Sequence, residues 1–396
     1  MADPKERLMS AISTEELERR WKAVREAMKA RGVDCLIIRN DESFLGGNVK
    51  WFTDLPAEVN YPVTVIFPLE EEMTLITHGP AAPAEPGPPV WAVRGVKTRL
   101  SSPYMPSAHY TNSYDAEMAV EVLKKRNGAT IGIVAKAFMP GYFTEHLKKH
   151  LSGSTFVDFT EQVDQIKVIK SPEEIGKIKL TARLQDEAME HVVNIIKPGL
   201  RDFEIAAEAQ YAALMKGANR FVLLVGSAPK GTPAKIAPHR FQNRVIQEGD
   251  QISILIETNG PGGLWTELSR CISIGEPSRE LISAADTALE AQKLSLDMIK
   301  PGADPKDIWH ANNVFLEKNG YFPESRLYAH GMGYDFVERP LIRYDEPMAI
   351  REGMNVTVHP VATNNSVWAC FTDNYIVTAN GVGPCIHKTP KTLIVV

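Results

Sequence analysis

The sequence predicts an α/β N-terminal domain joined to an α+β C-terminal domain. Three observations carry this reading. The chain has 396 residues, and a single domain takes roughly 100–200. Its first third alternates short apolar runs with amphipathic stretches, the pattern of a sheet covered by helices. Beyond residue 165, two long helical patterns with the same ending are each followed by strand-like runs. The boundary is placed there, giving domains 1–165 and 166–396.

Residues 15–31 open the N-terminal domain as an amphipathic helix, with Leu17, Trp21, Val24, Ala27 and Met28 at helical spacing. Gly32 ends it, and Asp34-Cys-Leu-Ile-Ile follows as a short buried strand. The runs 63–67 and 73–77 flank the acidic turn Glu70-Glu-Glu and predict a hairpin. Residues 79–89 are dense in Ala, Pro and Gly, which excludes a central strand and predicts a loop. Residues 116–126 predict a helix, 130–134 a strand and 143–151 a further helix. The C-terminal domain starts at Ser171-Pro-Glu-Glu: Ser as N-cap, Pro at the first helical position, and Glu174 completing a capping box. That helix ends at Lys197-Pro-Gly. The same ending recurs at Lys300-Pro-Gly, ahead of a helix over 305–319, and hints at an internal duplication. Strand-like runs occupy 221–226, 251–257, 268–274, 355–359 and 375–378.

Composition narrows the function classes. Hydrophobic residues make up 44% and charged residues 23%, which is ordinary for a globular protein. No apolar run approaches the roughly 20 residues that span a bilayer, so no membrane partner is expected. The formal charge is −5, from 49 acidic and 44 basic residues, without the basic surplus of a nucleic-acid binder. Cys35, Cys271, Cys370 and Cys385 are widely spaced, which suggests neither a disulfide framework nor a thiolate zinc site. The charged start Met1-Ala-Asp-Pro-Lys-Glu-Arg lacks the apolar region of a signal peptide, and a cytoplasmic location is expected.

Seven segments, read together, carry a resemblance. They are Ile169-Lys-Ser-Pro-Glu-Glu-Ile, Ile196-Lys-Pro-Gly, Arg244-Val-Ile-Gln-Glu-Gly-Asp, Thr266-Glu-Leu-Ser-Arg, Ala329-His-Gly-Met-Gly, Glu352-Gly-Met-Asn-Val-Thr-Val-His-Pro and Asp373-Asn-Tyr-Ile-Val-Thr. In this order they resemble the superfamily of creatinase, prolidase, aminopeptidase P and methionine aminopeptidase. The resemblance implies a pita-bread fold for the C-terminal domain. Asn48-Val-Lys-Trp-Phe-Thr-Asp resembles the creatinase and prolidase branch, which carries an extra α/β domain.

Metal-dependent members hold two ions with two Asp, one His and two Glu. The resemblance places Glu267 at the second Asp slot, His330 at the His slot, His359 at the first Glu slot and Thr372 at the last, with Asp373 next to it. The first Asp slot falls on Leu255 counted forward from Asp250 and on Ile256 counted back from Glu267. Glu257 is the nearby carboxylate, and a period-two strand puts it on the face of Leu255, so it is the candidate. Glu257, Glu267, His330 and His359 bring two negative charges, which suits at most one divalent ion (Zn, Fe or Mn). The cofactor expected is therefore none or one such ion, and no organic cofactor. Val337 stands where the family's proton-relay His would be, and peptidase activity is disfavoured on this reading.

Creatinase implies another route, with a His ahead of the Arg-x-x-x-x-Gly-Asp stretch acting as acid and base. His239 precedes Arg244 by five residues, and a His titrating near neutrality suits proton transfer beside Glu267 or Glu257. Trp265, Asp373 and, from the N-terminal domain, Trp51 and Phe52 are the substrate-binding candidates. Four of the acid, base and metal candidates have plainer alternatives: Glu267 pairing with Arg270, Glu257 closing a strand, His359 as a core imidazole, His239 as a solvated loop residue. The other seven histidines are assigned surface or structural roles.

The expected function is a small-molecule hydrolase cutting a non-peptide C–N bond, with His239, Glu267, His330 and His359 as its catalytic residues. A lyase breaking a C–S, C–O or C–C bond with one divalent metal is the alternative. A catalytically inactive binding protein is the second. The resemblance also implies a homodimer acting on a small molecule.

Overall fold

The N-terminal unit is built on local signals that the chain obeys closely. In the computed structural model, which describes residues 11–42, 44–45, 47–79, 92–238 and 241–396, the Ser13 side chain accepts the Glu16 amide and starts α1 (Thr14–Arg31). Gly32, at φ 62, ends it in the left-handed conformation that glycine adopts without a Cβ penalty. Leu17, Trp21, Val24 and Met28 lie on the buried face. There follow β1 (Cys35–Asn40), α2 (Asn48–Thr53), β2 (Val63–Pro68), β3 (Met73–His78) and β4 (Val96–Ser102). After them come α3 (Tyr114–Leu123), β5 (Thr130–Ile133), α4 (Gly141–His150), β6 (Thr155–Asp158) and α5 (Thr160–Lys167). The strands form one sheet in the order β4-β3-β2-β1-β5-β6. β2 and β3 pair antiparallel across the acidic turn. Of the Ala- and Pro-rich stretch 79–89 expected as a loop, all but Gly79 lies outside the described residues. β4 and β6 carried no apolar signal because they are the sheet's edges and half-exposed.

The C-terminal unit, Val168–Val396, is compact in its own right. Its first half consists of α6 (Pro172–Ile195), α7 (Asp202–Leu214), β7 (Phe221–Ala228), β8 (Ala237–Pro238), β9 (Gln251–Asn259) and β10 (Trp265–Ser273). The capping box forms: Ser171 accepts the Glu174 amide and Glu174 accepts the Ser171 amide. The second half has α8 (Arg279–Met298), α9 (Pro305–Lys318), β11 (Ala329–Gly331), β12 (Glu338–Leu341) and β13 (Asn355–Val358). It continues with β14 (Val361–Thr363), β15 (Trp368–Cys370), β16 (Asp373–Thr378), β17 (Gly381–Val382) and β18 (Ile394–Val395). Two five-stranded sheets result, β18-β10-β9-β7-β8 and β12-β11-β13-β16-β17.

The repeated Lys-Pro-Gly endings mark the same turn twice. Gly199 (φ 96) donates its amide to Ile246 at 2.9 Å, and Gly302 (φ 85) donates to Ile350 at 2.8 Å. Each Ile then returns a bond to the residue after the glycine, Leu200 or Ala303, and each is followed by x-Glu-Gly leading into a central strand. In both halves a helix pair covers one face of a sheet. α6 and α7 pack on Ile252, Ile254, Ile256, Leu268 and Ile272. Val356, Val358, Tyr375 and Val377 form a core with Ile299 and Ile308 in the second half. The uncovered faces meet where Ser269 and Thr372 exchange backbone bonds of 3.3 and 3.2 Å. That junction is where the polar strand residues collect.

Candidate active site

β9 and β10 run antiparallel, with Glu257 directly opposite Glu267 and Leu255 opposite Ser269. Directly opposite residues share a face. Since Ile254, Ile256 and Leu268 point into the helix-covered core, the two carboxylates point the other way, toward the second sheet. Glu257 is 5% exposed and Glu267 4%. Burial pushes the Glu257 carboxyl well above the usual carboxylate range, and the neighbouring Glu267 charge adds to the shift. Burial likewise raises Glu267, to about 8, against the opposing influence of Arg326 and of the Thr357 hydroxyl 3.4 Å away.

The second sheet supplies two imidazoles. His330 lies on β11 opposite Thr357 of β13, and His359 immediately follows β13 two residues beyond Thr357. The alternation that sends Val356 and Val358 into the core therefore turns Thr357 and His359 toward the carboxylates. The Nδ1–H of His330 donates to the Gly331 carbonyl at 2.9 Å, which leaves the Nε2 lone pair free to face the site. Burial holds His330 at about 4 and His359 well below the usual imidazole range, so both rings are neutral.

Glu267 Oε2 lies 3.8 Å from His330 Nε2 and 3.7 Å from His359 Nε2. The two rings stand edge to face with centroids 5.4 Å apart. His359 Nε2 is buried and has no hydrogen-bond partner among the described residues. An unpaired buried polar nitrogen costs about 1–3 kcal/mol, and here it points at a carboxylate and a second free imidazole nitrogen. Two neutral imidazoles and one carboxylate are a donor set for a single divalent cation of the zinc or iron type. The residues fit such an ion: the nitrogens need no proton removed, and Glu267 with Glu257 would balance its two charges.

Other expected site residues fall elsewhere. His239 lies outside the described residues. Trp51 and Phe52 are corrected from substrate walls to core of the N-terminal unit, at 1% and 0% exposure. Trp51 lies under the Arg20 guanidinium and Phe52 is edge-on to Phe67, so neither has surface to offer a ligand. Trp265 is likewise fully buried, with its ring against Phe336. Asp373 is corrected from a substrate contact to half of a buried ion pair: Arg270 Nη2 donates to it at 2.8 Å. Arg270 also donates to the carbonyls of Thr389 and Pro390, tying the C-terminal segment to β10. Asp373→Asn, which leaves that guanidinium buried without a counter-charge, should cost about 3–5 kcal/mol, read as a lowered denaturant midpoint.

Arg326, Trp368 and Cys370 carried no recognisable sequence signal, yet they border the site. Arg326 Nη2 is 3.5 Å from the His359 carbonyl, its guanidinium carbon is 5.4 Å from the Trp368 ring, and Cys370 Sγ is 3.7 Å from the same carbonyl. Arg326 sits in an irregular loop and Trp368 on a three-residue strand, where spacing says nothing.

Comparison with known proteins gives two family matches. The model for metallopeptidase family M24 matches residues 176–379, and that for the creatinase/prolidase N-terminal domain matches 20–169. An uncharacterized peptidase of Bacillus subtilis, YqhT, is 27% identical over 62% of this chain and 69% of its own length. A Xaa-Pro dipeptidase of Pyrococcus horikoshii is 27% identical over 74% of this chain and 85% of its own. The solved X-Pro aminopeptidase of Thermotoga maritima superposes with a TM-score of 0.79 at 20% identity, covering 95% of this chain and 99% of that one. At that identity the likeness establishes the fold: a creatinase/prolidase-type α/β domain followed by a pita-bread domain.

Proposed function

The chain belongs to metallopeptidase family M24, whose model matches just over half of it, and on that premise we propose a peptidase that uses one divalent ion to hydrolyse an amide bond in short peptides. The expected non-peptide C–N hydrolase, with a lyase or an inactive binding protein as alternatives, is corrected here. The family is one of metallopeptidases, and relatives with a named activity are a Xaa-Pro dipeptidase and an X-Pro aminopeptidase. The altered ligand slots do not by themselves remove peptide chemistry. What survives is the part that matters for one cation: three convergent donors and a second carboxylate.

The observation that carries this reading is the convergence of Glu267, His330 and His359 within 4.8 Å of one another, with one imidazole nitrogen orphaned. These three would hold the ion. A bound divalent cation supplies Lewis-acid chemistry, polarising a carbonyl and making nearby water more acidic. Glu257 does the proton work. Placed directly opposite Glu267, its carboxylate accepts a proton from water as the water oxygen bonds to the scissile carbonyl carbon. It then returns that proton to the nitrogen as the C–N bond breaks, leaving an acid and an amine.

The test is elemental analysis and peptide turnover on the same preparation. Protein dialysed against Zn²⁺ or Mn²⁺ should retain one ion per chain and hydrolyse dipeptides. Two tightly held ions would overturn the ligand assignment. Absence of turnover across a dipeptide panel with one ion bound would overturn the peptidase.

A further inference from the structure

The two sheets are joined along one edge of β10, and one link of that join is a side chain. On a strand the main-chain N–H groups of residues i, i+2 and i+4 point the same way. Residues 265, 267 and 269 all donate to the second half of the unit. Trp265 donates to the Gly333 carbonyl at 2.7 Å, and Ser269 to the Thr372 carbonyl at 3.3 Å. Between them the Glu267 amide donates to Asn374 Oδ1 at 2.8 Å. A side-chain amide there takes the part of a strand carbonyl, and it satisfies a main-chain donor on a buried residue.

Asn374 lies on β16 directly opposite Thr357 of β13 and is fully buried. Its Nδ2 donates to Asn355 Oδ1 at 3.2 Å, and Asn355 Nδ2 donates to the Met332 carbonyl at 3.2 Å. The chain ends on main-chain groups. The Glu267 N–H can only donate and the Met332 carbonyl can only accept, so the orientation of both amides is fixed. Met332 is two residues beyond His330, and its own amide donates to the Asn355 carbonyl at 3.0 Å. Thr357, the residue opposite Asn374, has its hydroxyl 3.4 Å from Glu267 Oε2 and precedes His359 by two residues. Asn374 is therefore tied to Glu267 directly and to each imidazole through a neighbour two positions away.

We propose that Asn374 is a positioning residue: it sets the gap between the Glu267 carboxylate on one sheet and the two imidazoles on the other, and with it the affinity for a divalent ion. The inference rests on the one-ion reading of the site and not on which bond is cut. The size of the gap shows why a fixed spacer matters. Glu267 Oε2 stands 3.8 Å from His330 Nε2 and 3.7 Å from His359 Nε2. Donors at about 2.0–2.2 Å around a tetrahedral ion lie about 3.3–3.6 Å apart. The site is within a few tenths of an ångström of that separation, and a shift of β10 against β16 would change both carboxylate–imidazole distances at once.

The experiment measures the Zn²⁺ Kd by competition with a chromophoric chelator, and denaturant unfolding of the metal-free protein, in wild type, N374A, N355A and Y375F. Asn374→Ala should weaken Zn²⁺ binding about 10–100-fold, the usual loss on removing a partner that supports a metal ligand. Asn355→Ala should weaken it in the same direction by removing the far link of the chain. Tyr375 is the next residue of β16, and its side chain lies in the core with Val356 and Val377. Tyr375→Phe removes the hydroxyl that accepts from Lys391 Nζ at 2.7 Å and should lower the metal-free midpoint with Kd unchanged. A lowered midpoint with unchanged Kd in N374A, or an equal loss of affinity in Y375F, would overturn the proposal and leave Asn374 as support for the sheets. Because the readout is binding, the peptidase is tested apart from it. The expected Kd pattern in an enzyme that cleaves no dipeptide would sink the peptidase and keep Asn374, whereas a wild type that holds no Zn²⁺ would overturn both. Should N374A fail to fold, N355A decides alone, and an unchanged Kd there overturns the proposal.

Discussion

Replacing His359 by leucine should remove metal binding and turnover while leaving the metal-free protein folded. The ring nitrogen that faces Glu267 has no hydrogen bond to lose, so an apolar side chain of similar volume relieves a buried polar atom instead of breaking a network. Affinity for Zn²⁺ should fall by more than about 100-fold, the upper range for loss of a merely supporting residue at a metal site. In wild type, metal at 1,000 times its Kd should stabilise the fold by about 4 kcal/mol. That increment should vanish in H359L. Thermal unfolding with and without Zn²⁺ separates the two roles. A core imidazole would lower the metal-free midpoint and leave the metal increment intact, which would defeat the ligand assignment.

The second large effect is at Glu257. Glu257→Gln keeps the side-chain volume and removes the only group assigned to carry a proton. Turnover should drop about 100–10,000-fold, the range for a general base, while the metal content stays at one ion per chain. Neutralising one of two facing buried carboxylates also removes their mutual repulsion, so the metal-free variant should be at least as stable as wild type. Elemental analysis, denaturant unfolding and single-turnover kinetics on one sample decide it. Loss of the ion in E257Q would make Glu257 a ligand and move the base elsewhere.

The sequence was legible where a local rule acts. The helix stop at Gly32, the capping box at Ser171 and both Lys-Pro-Gly turns depend on residues within a few positions of one another, and each forms as the sequence predicts. The hairpin of β2 and β3 follows from two apolar runs and an acidic turn. Strand ends are not legible in the sequence where a strand turns polar. β10 begins at Trp265, three residues before its apolar run, because Thr266 and Glu267 point at the site rather than into the helix-covered core. β4 and β6 were missed because edge strands need no continuous apolar run.

The candidate site divides along the same line. Glu257, Glu267, His330 and His359 could be named from motif order, since each sits in or beside a strand segment with a recognisable neighbourhood. Their geometry could not, because it depends on two strands of one sheet and two of another meeting at the Ser269–Thr372 junction. Trp51, Phe52, Trp265 and Asp373 show the converse: their chemistry suits a binding site, yet packing puts the aromatic rings in cores and gives Asp373 to Arg270. Arg326 is the plainest case, a loop residue brought to the site by a buried glutamate two positions away and a tryptophan forty-two residues on. Sequence alone thus determined the family, the fold class and the inventory of donor atoms, because these depend on residue type and local order. Tertiary structure decided which donors converge and which acids pair with a base, because those depend on distances between segments that share no local signal.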